Sequence, residues 1–172
     1  RSTGEVMGID KDYAAAVYKA LSGAGQKIPL EGAIYMTIAD ADKQAILPTA
    51  KAFWEMGFKF YATKGTSTFL RSNGIETTTV YTIREKMQPD ALGLMRRGEI
   101  KLIVNTPTAS SGSRRDGYMM RRLAVELEIP MFTTIKGAMA AVMAMEHAAA
   151  NDTSVNDLAS FHGGRGARLS PS

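Results

Sequence analysis

The stretch Phe58-Lys59-Phe60-Tyr61-Ala62-Thr63-Lys64-Gly65-Thr66 carries an apolar run straight into a helix-like segment, through two threonines, a lysine and a glycine. Gly65 would let the backbone come close to a ligand. The following helix would aim its unpaired N–H groups and positive dipole end at the same point. A phosphate or a carboxylate is the guest such a cradle suits. Thr63 and Gly65 also suit simple helix capping, so the turn alone leaves both readings open. The fold is decided by the recurrence of the same strand–turn–helix pattern on either side of it.

Upstream, Ala33-Ile34-Tyr35-Met36-Thr37-Ile38 reads as a buried strand, and Ala39-Asp40-Ala41-Asp42 turns into a helix that runs to Met56 and stops at Gly57. Ile46, Ala50, Phe53 and Trp54 fall on the core-facing side of that helix. Before it, a helix follows Asp10, with Ala14, Val17, Tyr18 and Leu21 on one face, and ends near Gly23. Downstream come a helix over 66–72, a β-branched strand at 77–82, and a short helix over 89–97 closed by Gly98. A strand at 100–105, a helix over 114–127, a strand at 131–133 and a helix over 136–149 complete the pattern. Strand and helix alternating five times predict an α/β protein, a three-layer αβα sandwich around a five-stranded parallel sheet. Residues 151–172 lose the apolar pattern, and Gly163-Gly164-Arg165-Gly166 reads as a partly flexible tail.

The chain has 172 residues, 45% of them apolar, which is enough for one full core. No stretch approaches the roughly 20 apolar residues of a membrane span, and the opening residues lack an apolar leader core. Zero cysteines exclude disulfides and thiolate metal sites and are compatible with a cytoplasmic location. Twenty-one basic and seventeen acidic residues give a net charge of +4, well mixed along the chain. The pairs Arg96-Arg97, Arg114-Arg115 and Arg121-Arg122 are read as solvated helix faces rather than a nucleic-acid surface. His147 and His162 have no partner at metal-ligand spacing. Met139, Met143 and Met145 are expected in the core.

In open parallel sheets a ligand binds beyond the carboxyl ends of the strands, where the strand order reverses. Those ends carry Asp40, Asp42 and Lys43 after the first strand, and Thr63 to Thr66 after the second. Asn105-Thr106-Pro107-Thr108 follows the fourth strand, and Thr133-Thr134 with Lys136-Gly137 the fifth. Hydroxyls, amides and lysines dominate, and histidine is absent. Such an edge suits a phosphorylated, hydroxyl-rich small molecule and is poor material for acid–base catalysis. Lysine at a helix N-terminus opposes the dipole, so a bound anion would compensate Lys43, although a solvated Lys43 is also consistent. Asn105 is equally readable as a turn residue, and Asp116 as an ordinary first-turn helix acid.

Several short matches point to a family. The opening Ser2-Thr3-Gly4-Glu5-Val6-Met7-Gly8, then Asp42-Lys43, Gly57-Phe58, Ala62-Thr63-Lys64-Gly65-Thr66, Asn73-Gly74-Ile75, Val104-Asn105-Thr106, Arg121-Arg122 and Thr133-Thr134 span nearly the whole chain. Together they resemble the C-terminal regulatory domain of carbamoyl phosphate synthetase large subunits, a member of the methylglyoxal-synthase-like group. The resemblance implies residues 1–25 as a linker and first helix from a preceding region, 26–150 as the regulatory domain and 151–172 as the tail. It implies an allosteric site for a nucleotide monophosphate such as UMP or IMP. Lys43, Thr63, Lys64, Gly65, Thr66, Asn105, Thr106 and Thr108 match its effector-binding positions, and Asp116 and Thr133 match an ornithine side.

The family's UMP binders place a lysine shortly after the third strand. Thr82 stands there in this chain, with Arg84 and Lys86 nearby as substitutes. The parent enzymes implied are ATP-dependent ligases of arginine and pyrimidine synthesis, with ATP and Mg or Mn in other domains. Implied partners are the rest of the large subunit, a glutaminase small subunit and oligomer contacts. No cofactor is expected in this stretch. Free-standing methylglyoxal synthases, the alternative, carry an aspartate in a Gly-Gly-Asp motif before the fourth helix, another after the fourth strand and a histidine near the phosphate. Lys86-Met87-Gln88-Pro89 and Asn105-Thr106 stand at the two aspartate regions here.

Overall fold

A computed structural model describes residues 9–23, 28–107 and 111–168. Its elements are α1 (Lys11–Ser22), β1 (Ala33–Thr37), α2 (Lys43–Glu55), β2 (Lys59–Ala62), α3 (Lys64–Ser72), β3 (Thr78–Thr79), α4 (Ala91–Arg96), β4 (Ile100–Asn105), α5 (Ser111–Glu126), β5 (Met131–Phe132) and α6 (Ile135–Arg168). Short 3-10 turns at Asp40–Asp42 and Ile83–Glu85 follow β1 and β3. The five strands are all parallel, in the order β3-β2-β1-β4-β5. The expected α/β sandwich with a five-stranded parallel sheet is therefore what the chain forms.

The central strands are apolar on both faces, as a doubly covered sheet requires. On β1, Ile34 and Met36 enter one core with Ile46 and Phe53 of α2, Leu70 of α3 and Ala138, Ala141 and Met145 of α6. Ala33 and Tyr35 enter a second core on the other face, with Leu92, Leu94 and Met95 of α4 and Met120 and Leu123 of α5. Leu102 and Val104 of β4 join the first core, and Ile100 and Ile103 the second.

Two expectations need adjustment. Tyr18 is exposed, and α1 buries only Val17 and Leu21, which pack in the first core beside α6. The first helix is thus part of the domain's own packing as well as a lead-in. Trp54 is only partly buried, tilted against Phe60 at 6.3 Å between ring centroids. Residues 151–168 continue α6 as helix to Arg168, although their glycines are poor helix formers. No described helix is long and apolar enough to cross a membrane.

The topology fixes where a ligand belongs. The strand order runs from β1 outward to β3 on one side and from β4 to β5 on the other. The switch point lies between the carboxyl ends of β1 and β4, at Thr37 and Asn105, which are register partners.

Candidate functional site

A cleft of about 270 Å³ opens at that switch point. It is lined by Thr37, Asp40 and Lys43 from the end of β1 and the start of α2, and by Thr63, Gly65 and Thr66 at the β2–α3 turn. Tyr81, Thr82 and Arg84 line it from the loop after β3, Asn105 from β4, and Asp116, Gly117 and Met120 from α5. Tyr35 reaches it from the middle of β1.

The β2–α3 turn is open as an anion cradle. Thr63 occupies the N-cap position of α3 but makes no capping bond; its hydroxyl donates to the Thr37 hydroxyl at 3.2 Å. The first intrahelical bond runs from the Ser67 N–H to the Thr63 carbonyl at 2.7 Å, so the amides of Lys64, Gly65 and Thr66 stand ahead of it. A Cβ on Gly65 would lie 3.2 Å from the Lys43 Nζ, so the ammonium is brought directly to this helix end. Lys43 is mostly buried and pairs with the fully solvated Asp40, whose carboxyl it holds below the usual carboxylate range by hydrogen bonding and by charge.

Other threonines serve the scaffold. The buried Thr66 hydroxyl accepts from the Ile38 N–H at 2.9 Å. The Thr106 hydroxyl accepts from the Ala39 N–H at 2.8 Å, and the Thr106 N–H donates to the Thr37 carbonyl at 3.0 Å. The Ser67 and Thr79 hydroxyls bond at 2.8 Å and fasten α3 to β3. These contacts hold the turn after β1 against α3 and β4.

The opposite wall is acidic at its base. The Arg84 Nε donates to the Asp116 Oδ2 at 3.0 Å, while Oδ1 is buried without a hydrogen-bond partner among the described residues. Asp116 itself is only 9% exposed. Burial first, and then the nearby Asp116 carboxylate, push the Tyr35 hydroxyl far above its ordinary range, partly offset by a hydrogen bond with Thr37. Asn105 Nδ2 lies 3.3 Å from where a Cβ on Gly117 would stand, so α5 packs closely over the Asn105 amide.

Of the residues singled out from the sequence, Lys43, Thr63, Gly65, Thr66, Arg84, Asn105 and Asp116 line this one cleft. Lys64 is exposed and does not line it, and Lys86 sits in a left-handed turn outside it. Between the two substitutes for the missing lysine, the geometry brings Arg84 to the cleft. Thr82 lines it too, but its hydroxyl and N–H donate to the Glu85 carboxylate at 2.8 and 2.7 Å. Thr106 acts behind the wall through Ala39. Thr133 follows the edge strand β5 and does not line the cleft, and Thr108 lies outside the described residues. The principal omission is Tyr35, whose long side chain carries a hydroxyl from mid-strand to the cleft. Among the described residues, no group of three or more His, Asp or Glu is placed to hold a metal.

The chain matches known proteins over the same elements. The profile of the MGS-like domain family matches residues 45–133, from α2 past the end of β5. A carbamoyl phosphate synthase large chain, C-terminal section, from Methanopyrus kandleri is 45% identical over 95% of this chain and 30% of its own length. A protein of the same description from Methanocaldococcus jannaschii is 44% identical over 92% of this chain and 25% of its own. The carbamoyl phosphate synthase large chain of Rubrobacter xylanophilus is 46% identical over 85% of this chain and 14% of its own. The chain thus spans less than a third of each of these relatives. It belongs to the MGS-like domain family.

Proposed function

We propose that the cleft binds a nucleoside monophosphate and that the chain is the effector-binding part of a carbamoyl phosphate synthase large chain. The observation that carries this reading is the pairing, in one cleft, of an anion cradle with an unsatisfied acceptor. Lys43 and the leading amides of α3 would meet the phosphate. The buried, partnerless Asp116 Oδ1 calls for a ligand donor, which a ribose hydroxyl supplies. Arg84 brings a second cation to the rim. A volume of about 270 Å³ is just below the range of about 300–1,000 Å³ usual for ligand pockets, so part of the nucleotide would remain in solvent.

On this reading the catalytic work lies in other parts of a larger ligase. Those parts would take ATP with Mg or Mn and ammonia from a glutaminase subunit, and feed arginine and pyrimidine synthesis. The cleft would bias that enzyme through the differential affinity of its states for the nucleotide. An ornithine contact at Thr133 would belong to a separate surface at the sheet edge.

Calorimetric titration of the chain with UMP, IMP and inorganic phosphate tests the proposal. Lys43→Ala is expected to weaken nucleotide binding by about ten- to a hundredfold, the equivalent of one charge-assisted phosphate contact. Absence of binding by any nucleotide at millimolar concentration, with the fold intact, would overturn it.

A second reading is favoured by one observation. Asp116 sets a carboxylate beside the anion cradle, the arrangement a lyase acting on a triose phosphate would need. Against it, Arg84 engages that carboxylate, and no histidine lines the cleft. Dihydroxyacetone phosphate is expected to survive incubation with the chain; methylglyoxal formation above a blank that co-purifies with the protein would favour the lyase.

A further inference from the structure

We propose that Asp40 sets the affinity of the cleft for anions by occupying Lys43 as an internal competitor, an inference that rests on the anion-binding reading above. Lys43 is the least solvated cation of the cleft, its side chain 17% exposed, and its ammonium lies against the N-terminal end of α3 at Gly65. A cation there faces the positive end of a helix dipole and gains nothing from it. The Asp40 carboxylate supplies the missing counter-charge. Its Oδ1 meets Nζ, and Asp40 itself lines the cleft, so this carboxylate stands where a ligand oxygen would make the same contact.

The geometry makes Asp40 displaceable. Its side chain is 95% exposed, and among the described residues it bonds to Lys43 alone. Asp40 is the first residue of a short 3-10 turn, so among the described residues its carboxylate gives up no side-chain bond but the one to Lys43 when it swings into water. An incoming phosphate must therefore take Lys43 from a partner that returns to solvent with little penalty, and must do so against the like charge of that partner. Asp42, two residues on, bears the same charge but does not line the cleft, and it makes no side-chain capping bond to α2. It is the natural control for the general field.

The test titrates wild type, Asp40→Asn and Asp42→Asn with inorganic phosphate and with UMP at low ionic strength. Asp40→Asn is expected to bind both about two- to fivefold more tightly, as loss of a weak competing ion pair predicts. Asp42→Asn is expected to match wild type, and the gain in Asp40→Asn should vanish in about 1 M salt. If wild type binds and Asp40→Asn binds equally, the competitor role is overturned while the anion site stands. If Asp42→Asn gains as much as Asp40→Asn, a general field effect replaces it. If no variant binds either probe at about 10 mM, the anion site and the competitor fall together.

Discussion

Replacing Thr66 by valine separates scaffold from ligand contact at the centre of the cleft. Valine keeps the β-branched shape and exchanges the hydroxyl for a methyl group. The hydroxyl accepts from the Ile38 N–H at 2.9 Å in a region where Thr66 is 2% and Ile38 6% exposed, so the amide has no access to compensating water. The return contact to the Ile38 carbonyl, at 3.4 Å, is too long to matter much. Leaving one buried N–H unsatisfied costs about 1–3 kcal/mol, or roughly 3–10 °C in melting temperature for a chain of this size. Urea denaturation followed by circular dichroism reads the loss as a lower midpoint at unchanged slope. Thr66→Ser is the companion variant. It keeps the hydroxyl and removes one methyl, which predicts a smaller loss of about 0.8 kcal/mol. A Thr66→Val midpoint equal to wild type, or a serine variant as damaged as the valine one, would refute the assignment of this hydroxyl to Ile38.

Two further outcomes follow from the opposite wall. Arg84→Ala is expected to destabilise the chain by about 1–2 kcal/mol, because it strips the buried Asp116 of its Arg84 ion pair, with the half-exposed guanidinium keeping the figure modest. The same change should weaken nucleotide binding, whereas Lys86→Ala, outside the cleft, should alter neither quantity; urea titration and calorimetry together check this. The raised Tyr35 hydroxyl works in the alkaline range. The folded state holds its proton where the unfolded chain begins to release it, so its contribution is full below about pH 10 and is lost as pH rises beyond that. Tyr35→Phe should flatten the alkaline limb of a stability-against-pH curve, and an unchanged limb would contradict the burial of that hydroxyl. Tyr61 is shifted the same way, by burial first and by its bond to Glu99, so it should supply part of the slope that remains.

The fold was legible because its signals are local and repeated. The apolar run 33–38, the β-branched 77–80 and the glycine stops at Gly57 and Gly98 each mark one element boundary. The cleft was partly legible for the same reason: Lys43, Thr63, Gly65 and Asn105 all sit at strand ends, and a parallel sheet gathers its strand ends on one side. What escaped depends on the direction and reach of side chains. Tyr35 is two residues before the end of its strand, and only its length brings the hydroxyl to the cleft. Arg84 and Lys86 carry the same charge two residues apart, and only the 3-10 turn, followed by a left-handed Lys86, decides which one faces inward. Thr66 and Thr106 look like ligand hydroxyls in sequence, but their bonds to Ile38 and Ala39 are long-range pairings, 28 and 67 residues apart along the chain.

Those pairings bear on how quickly a ligand can be captured. The turn that presents Lys43 is fastened on both sides, by Thr66 at Ile38 and by Thr106 at Ala39, while Thr63 closes onto Thr37 across the strand ends. The entropy of ordering these segments is spent when the chain folds rather than when a guest arrives. Capture at such a wall should be a single bimolecular step, with an observed rate that climbs linearly with ligand concentration and shows no plateau from a preceding loop rearrangement.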